Sequence, residues 1–147
     1  MKSKLPVLMA ILLLTAASLA CNRLMRSPAA AVTPTPASPV SNVYMASDPG
    51  GLNKTNVFAP KDAIYVFFTA DQAEIGSYFE ARWYVLNLPD MDPNTPFTVT
   101  SFTYNGGSTT IYANVQSSHE KGFAASKCKV EIYMNGVKVA EQQFTIQ

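Results

Sequence analysis

Residues 127–146 read KCKVEIYMNGVKVAEQQFTI, with Lys127-Cys128-Lys129-Val130-Glu131-Ile132-Tyr133-Met134 before Asn135-Gly136 and Val137 to Ile146 after it. This stretch decides the fold. Cys128, Val130, Ile132 and Met134 alternate with Lys127, Lys129, Glu131 and Tyr133, the period-two pattern of a strand with one dry face and one wet face. Asn-Gly between two such runs is the strongest short-range hairpin signal, because both turn positions need positive φ. In the return strand Val139 and Phe144 fall out of phase, which predicts a bulge near Glu141.

The same reading extends backwards along the chain. Ala63 to Ala70 (AIYVFFTA), Ser77 to Leu88 (SYFEARWYVLNL), Phe97 to Tyr104 (FTVTSFTY) and Thr109 to Gln116 (TTIYANVQ) are bounded by Pro60 and Asp71, by Pro89 and by Asn105-Gly106-Gly107. These are turn and breaker residues. Val43 to Ala46 and Thr55 to Ala59 are weaker strand candidates. In the long run Phe79, Ala81, Trp83 and Val85 share a face against Glu80, Arg82 and Tyr84. No segment between Asn42 and Gln147 has a helical period. Seven or eight short strands with frequent turns and one dry face each predict an all-β protein, an antiparallel β-sandwich.

The tail also resembles a known pattern. Gly122-Phe123, Ser126 to Ala140 and Phe144-Thr145-Ile146 are similar to the closing hairpin of immunoglobulin-like modules in bacterial exported proteins. There a glycine-rich lead precedes a YKVEIYLDGK-type strand and turn, and the return strand ends in F-x-V or F-x-I. The resemblance implies an immunoglobulin-like sandwich with Trp83 as its core tryptophan. Cys128 stands where the pattern has Tyr, so a corner hydrogen bond from that tyrosine has no donor here. Modules of this kind serve adhesion, recognition and spacing alike, so the resemblance speaks to fold and not to function.

Ahead of the sandwich lie two further segments. Lys2 and Lys4 precede an apolar run from Leu5 to Ala17, then Ser18-Leu19-Ala20 and Cys21. A basic start, a short apolar stretch and small residues before a cut make a secretory signal. The run is short for a membrane span, which needs about 20 residues. A cysteine directly after the cut resembles the lipobox of bacterial lipoproteins, with Ser18 where Leu is usual. That resemblance implies a signal peptide over 1–20, acylation of Cys21, and an extracytoplasmic protein held on a bacterial membrane, at the cell surface or the periplasmic face. Ser18-Leu19-Ala20 also fits ordinary small-x-small cleavage, which would release a soluble chain with an unmodified Cys21. A Cys21–Cys128 disulfide would then be open to it; otherwise Cys128 is a small buried apolar residue. From 21 to 41 the chain holds Ser27-Pro28-Ala29-Ala30-Ala31 and Thr33-Pro34-Thr35-Pro36-Ala37-Ser38-Pro39. Nothing there can bury a core, and the prolines predict an extended, disordered tether. The remaining 42–147 fit one domain.

Charge and motifs exclude several functions. Without Lys2 and Lys4 nine basic residues face ten acidic ones, a net charge near −1, so no basic surface calls for nucleic acid. There is one histidine, His119, beside Glu120 in a polar stretch that reads as a solvated loop; a hydrolase reading would rest on it. Asp90-Met91-Asp92-Pro93-Asn94 offers oxygens at alternate positions. It lacks the glycine and distal glutamate of a calcium loop, where Thr95 and Ser101 stand. The expectation is a non-catalytic binding or structural module with no cofactor and no metal. The surplus is aromatic. With Ile64, Val66 and Phe68 inward, Tyr65 and Phe67 point outward, as do Tyr84 and Tyr133 on strands expected to share a sheet. Outward rings suit stacking on a polysaccharide or docking an envelope protein. A covering loop or cross-strand pairing would serve them equally.

Overall fold

The computed structural model describes residues 38–70 and 72–147; the signal segment, Cys21 and nearly all of the Pro-rich stretch lie outside the described residues. Eight strands follow one another: β1 (Ser41–Ala46), β2 (Val57–Phe58), β3 (Ile64–Thr69), β4 (Tyr78–Val85), β5 (Thr98–Thr103), β6 (Thr110–Val115), β7 (Ser126–Met134) and β8 (Val137–Ile146). No helix occurs among the described residues. The strands form two sheets, β1-β3-β6 and β2-β8-β7-β4-β5. Every pairing is antiparallel except the two-residue β2, which runs parallel to β8. Each strand expected from the sequence is present, and β4 and β7 are neighbours.

The hairpin forms as its turn residues dictate. Asn135 and Gly136 adopt φ of 51° and 82°. Asn135 also fastens the turn to the next strand: its N–H donates to the Tyr78 carbonyl, and its Oδ1 accepts from the Tyr78 N–H, both at 2.8 Å. The bulge lies at Val139 rather than near Glu141. Lys138 pairs with Tyr133 and Ala140 with Ile132, which leaves Val139 unpaired in the ladder. Val139 is half-buried against the core, and its carbonyl accepts from Ser38 Oγ at 2.9 Å. That contact draws on a residue 101 positions away, so the local pattern could not place the extra residue. The bulge has a consequence for the surface. Residues three apart in a regular strand face opposite ways, yet Lys138 and Glu141 end on one face.

The core lies between the sheets. Ile64, Val66 and Phe68 of β3 meet Phe79, Ala81 and Trp83 of β4 and Val130 and Ile132 of β7, all of them buried. Trp83 is edge-on to Phe144 (centroids 6.0 Å apart, 79°), which is the core position the family resemblance implies. Its Nε1–H is buried with no acceptor among the described residues, an unsatisfied donor that offsets part of the gain from burying the ring. Cys128 is a free, buried thiol 3.3 Å from Ser126 Oγ. Burial pushes it above the ordinary thiol range, against the hydrogen bond from Ser126.

Candidate functional site

The four aromatics singled out in the sequence do not make one surface. Tyr65 and Phe67 lie on the outer face of the three-stranded sheet, Tyr84 and Tyr133 on the outer face of the five-stranded one.

On the three-stranded sheet the register aligns Tyr44, Phe67 and Tyr112 across β1, β3 and β6. Tyr44 stacks on Phe67 at 5.1 Å and 7°, and Tyr112 leans on the other side at 5.5 Å and 38°. Tyr65 lies 5.8 Å from Tyr112 at 59°. Phe67 points outward yet is only 4% exposed, because the loop after β1 folds back over it. A Cβ on Gly51 would sit 2.7 Å from the Tyr44 hydroxyl and 3.1 Å from the Phe67 ring. The Asp48 carboxylate fixes that loop by accepting from the N–H groups of Asn53 (2.6 Å), Gly50 (3.0 Å) and Leu52 (3.2 Å). These bonds, Asn53's foremost, hold its pKa below the usual carboxylate range. Lys54 Nζ stands 4.0 Å over the Tyr44 ring. What remains open is Tyr112, 51% exposed, a half-buried Tyr65, and Leu52 at the loop tip. Tyr44 and Tyr112 are members of this cluster that the sequence reading did not single out. Alternation in β6, with Ala113 inward, could have found Tyr112. Tyr44 was hidden by the irregular register between Ser41 and Tyr44, where Asn42 takes a φ of 48°.

The outer face of the five-stranded sheet is organised by charge. Glu131 is buried and central. It accepts from Lys129 Nζ at 2.7 Å, the Tyr133 hydroxyl at 2.9 Å and Lys138 Nζ at 3.0 Å. Burial pushes its carboxyl up, but the bonds from Lys129, Lys138, Tyr133 and Tyr84 outweigh it and hold the pKa at about 2. Glu131 pairs with Glu141 across the ladder. Lys138 bridges the two like charges, 2.7 Å from Glu141, and can do so because the Val139 bulge puts it on their side. Bonds to Glu141 and then to Glu131 raise its pKa well above the usual ammonium range. Arg82 pairs with Glu80 at 2.8 Å and lays its guanidinium 3.8 Å over the Tyr133 ring. Tyr84 is not exposed: it is 5% accessible, with Lys129 Nζ 4.8 Å from its ring centre. Burial, then its bond to Glu131, pushes its pKa up to about 12. Lys129, which pattern reading takes as a solvated neighbour, pairs with Tyr84 across the ladder and stands over its ring.

A cleft of about 530 Å³ opens at one end of the sandwich, between the segments that follow β4 and β6. His119 lies on its rim, exposed. Its N–H donates to Ser117 Oγ at 3.2 Å, and its ring makes no hydrogen bond or ion pair among the described residues. Asp92 holds its own turn, accepting from the Asn94 N–H (2.9 Å) and the Thr95 hydroxyl (2.8 Å), a strand connection of the Pro/Asp/Asn kind. No group of three or more His, Cys, Asp or Glu placed to hold a metal occurs among the described residues.

No protein-family model matches the chain, and no curated protein does. Solved structures do. An immunoglobulin-like protein (PA1606) from Pseudomonas aeruginosa superposes with a TM-score of 0.53 at 7% identity, over 74% of this chain and 96% of that one. The Pseudomonas fluorescens alkylpurine DNA glycosylase AlkC, bound to DNA containing an abasic site analogue, gives 0.48 at 12% identity, over 76% of this chain and 31% of that one. The first likeness, with the two-sheet topology and the buried Trp83, identifies the fold as an immunoglobulin-like β-sandwich.

Proposed function

We propose that the chain is an extracytoplasmic lipoprotein that displays a non-catalytic immunoglobulin-like module at a bacterial envelope. The observation that carries the reading is the order of segments: a basic start, an apolar run, Ser18-Leu19-Ala20-Cys21, a proline-rich stretch, and then one sandwich. In this reading a phospholipid gives up its diacylglyceryl group to the Cys21 sulfur, forming a thioether as the headgroup phosphate leaves and the thiol proton is released. Water cleaves the Ala20–Cys21 bond, and the new amine takes an acyl chain from the ester of a second phospholipid, which leaves as a lysophospholipid carrying the amine's proton. Two or more acyl chains anchor firmly where one is marginal. The stretch over 21–41 is the tether, and the domain over 42–147 binds a protein partner or serves as a structural unit of the envelope. The test is intact mass spectrometry of membrane-fraction protein beside a Cys21→Ser chain. The expected result is a chain that begins at Cys21 and is heavier by a diacylglyceryl group and an acyl chain, with no such mass in the variant. A bare soluble chain overturns the anchor.

Polysaccharide binding through outward aromatics is the second reading, favoured by Tyr112 and Tyr65 standing side by side and partly open. Of its sequence candidates Tyr65, Phe67, Tyr84 and Tyr133, Phe67 and Tyr84 are covered and Tyr133 has Arg82 over its ring and its hydroxyl on Glu131, so it rests on Tyr65 together with Tyr112. Retardation in polysaccharide gels that Tyr65→Ala and Tyr112→Ala both leave unchanged removes it.

A further inference from the structure

We infer that the cleft at the end of the sandwich is a binding site for the hydrocarbon tail of a singly acylated amphiphile. Its floor is Val85, Cys128 and Ile146 of the five-stranded sheet and Val115 of the three-stranded one. Its walls are Leu88, Met91 and Phe97 on one side and Phe123 on the other. These four wall residues pack on the core yet stay partly exposed. No Asp, Glu, Lys or Arg lines it. Its polar side chains gather mainly on one rim, from Gln116 to His119. An apolar interior with a polar mouth matches an apolar tail with a polar head, and the volume falls in the range of small-molecule pockets. Water has few partners inside, and cavities with apolar linings hold apolar guests.

The cleft is also held open. One wall is fixed by the Phe97 N–H on the Trp83 carbonyl (2.9 Å), the Leu86 N–H on the Lys127 carbonyl (2.8 Å), the Lys127 N–H on Asn87 Oδ1 (2.6 Å) and the Asp92 turn. The other is pinned to the turn at Pro60. The Phe123 N–H donates to the Pro60 carbonyl at 2.8 Å. Gly122, at φ 82°, lies so close to that carbonyl that a Cβ would clash with it. Phe97 and Phe123 meet edge to face, 6.2 Å apart. These bonds fix the backbone of both walls, and a site ordered before its ligand arrives loses less entropy on binding.

This site does not depend on the anchor, so the test uses the full chain with Cys21→Ser, in which Cys128 is the one thiol. Titration with cis-parinaric acid, a fluorescent C18 fatty acid, is expected to saturate at one per chain. Palmitate displaces it, and shorter fatty acids do so with affinity falling about fourfold for each methylene lost. Ala124→Trp, at an exposed position on the mouth, should weaken binding at least tenfold with an unchanged melting temperature; Met91→Glu, which puts a carboxylate in a wall that packs on the core, should weaken it at least tenfold in a chain whose circular dichroism shows it folded. The absence of saturable binding, or binding indifferent to both variants, overturns the proposal.

Discussion

The two outer faces of this sandwich carry the same kind of residue to different ends. Tyr44, Tyr65 and Tyr112 on the three-stranded sheet gather with Phe67, and one loop covers Phe67 and the Tyr44 hydroxyl. Tyr84 and Tyr133 on the five-stranded sheet are separated by Arg82, Lys129 and Glu131, and their hydroxyls serve the carboxylate. The first face is held by apolar contact and leaves rings partly open. The second is held by charge-assisted hydrogen bonds and leaves little ring exposed. An outward tyrosine in a strand is therefore not a contact residue by itself; its cross-strand neighbours decide whether it is solvent, scaffold or surface.

Substitutions separate the two faces. The largest effect is expected at Phe67, which behaves as core although it points away from it. Phe67→Ala should destabilise by about 3–4 kcal/mol, the range of a buried aromatic truncation, read from urea unfolding; a value near that of an exposed residue would mean the loop does not cover the ring in solution. Glu131→Gln should cost about 2 kcal/mol at neutral pH through loss of bonds to charged partners. Its pH dependence is diagnostic of the charged face. The Glu131 pKa is depressed from 4.5 to about 2. Its stabilisation is thus present above about pH 4.5 and lost as pH falls through 2. The gap between wild type and Glu131→Gln should close over that window, while the deficit of Phe67→Ala should not follow it.

Smaller effects sharpen the picture. Gly51 and Gly136 have φ of 68° and 82°, but a Cβ at Gly136 meets nothing within 4 Å. Gly136→Ala should cost about 1 kcal/mol for the backbone alone. Gly51→Ala should cost more, and the excess measures how tightly the loop presses on Tyr44 and Phe67. Tyr112→Ser should cost about 1 kcal/mol through its lost ring contacts with Phe67 and Tyr65, well below Phe67→Ala, which leaves a folded chain as a probe for any binding on that face.

Strand positions were legible because alternation and turn residues are local. The run from Lys127 to Ile146 contains its own hairpin, faces and turn conformation, and β3 and β4 announce their inward sides just as plainly. Cover and irregularity were not legible. Phe67 is hidden by a loop that Asp48 shapes, about twenty residues earlier, and Tyr84 by side chains from β7. The bulge at Val139 answers to Ser38. The cleft is assembled from the ends of β4, β6, β7 and β8 and two connecting segments, none of which shows a cavity in its own residues.

By itself, then, the order of residues determined an all-β module with a defined inward face, since period-two alternation and positive-φ turn residues act over a few neighbours. It also carries the signal-like start, Cys21 and the proline-rich stretch as a linear pattern. Only the tertiary structure decided which outward rings stay open, which carboxylate is buried among cations, and where the two sheets leave a gap. Those outcomes depend on contacts between segments far apart in the chain, and burial is a property of what arrives from elsewhere to cover a residue.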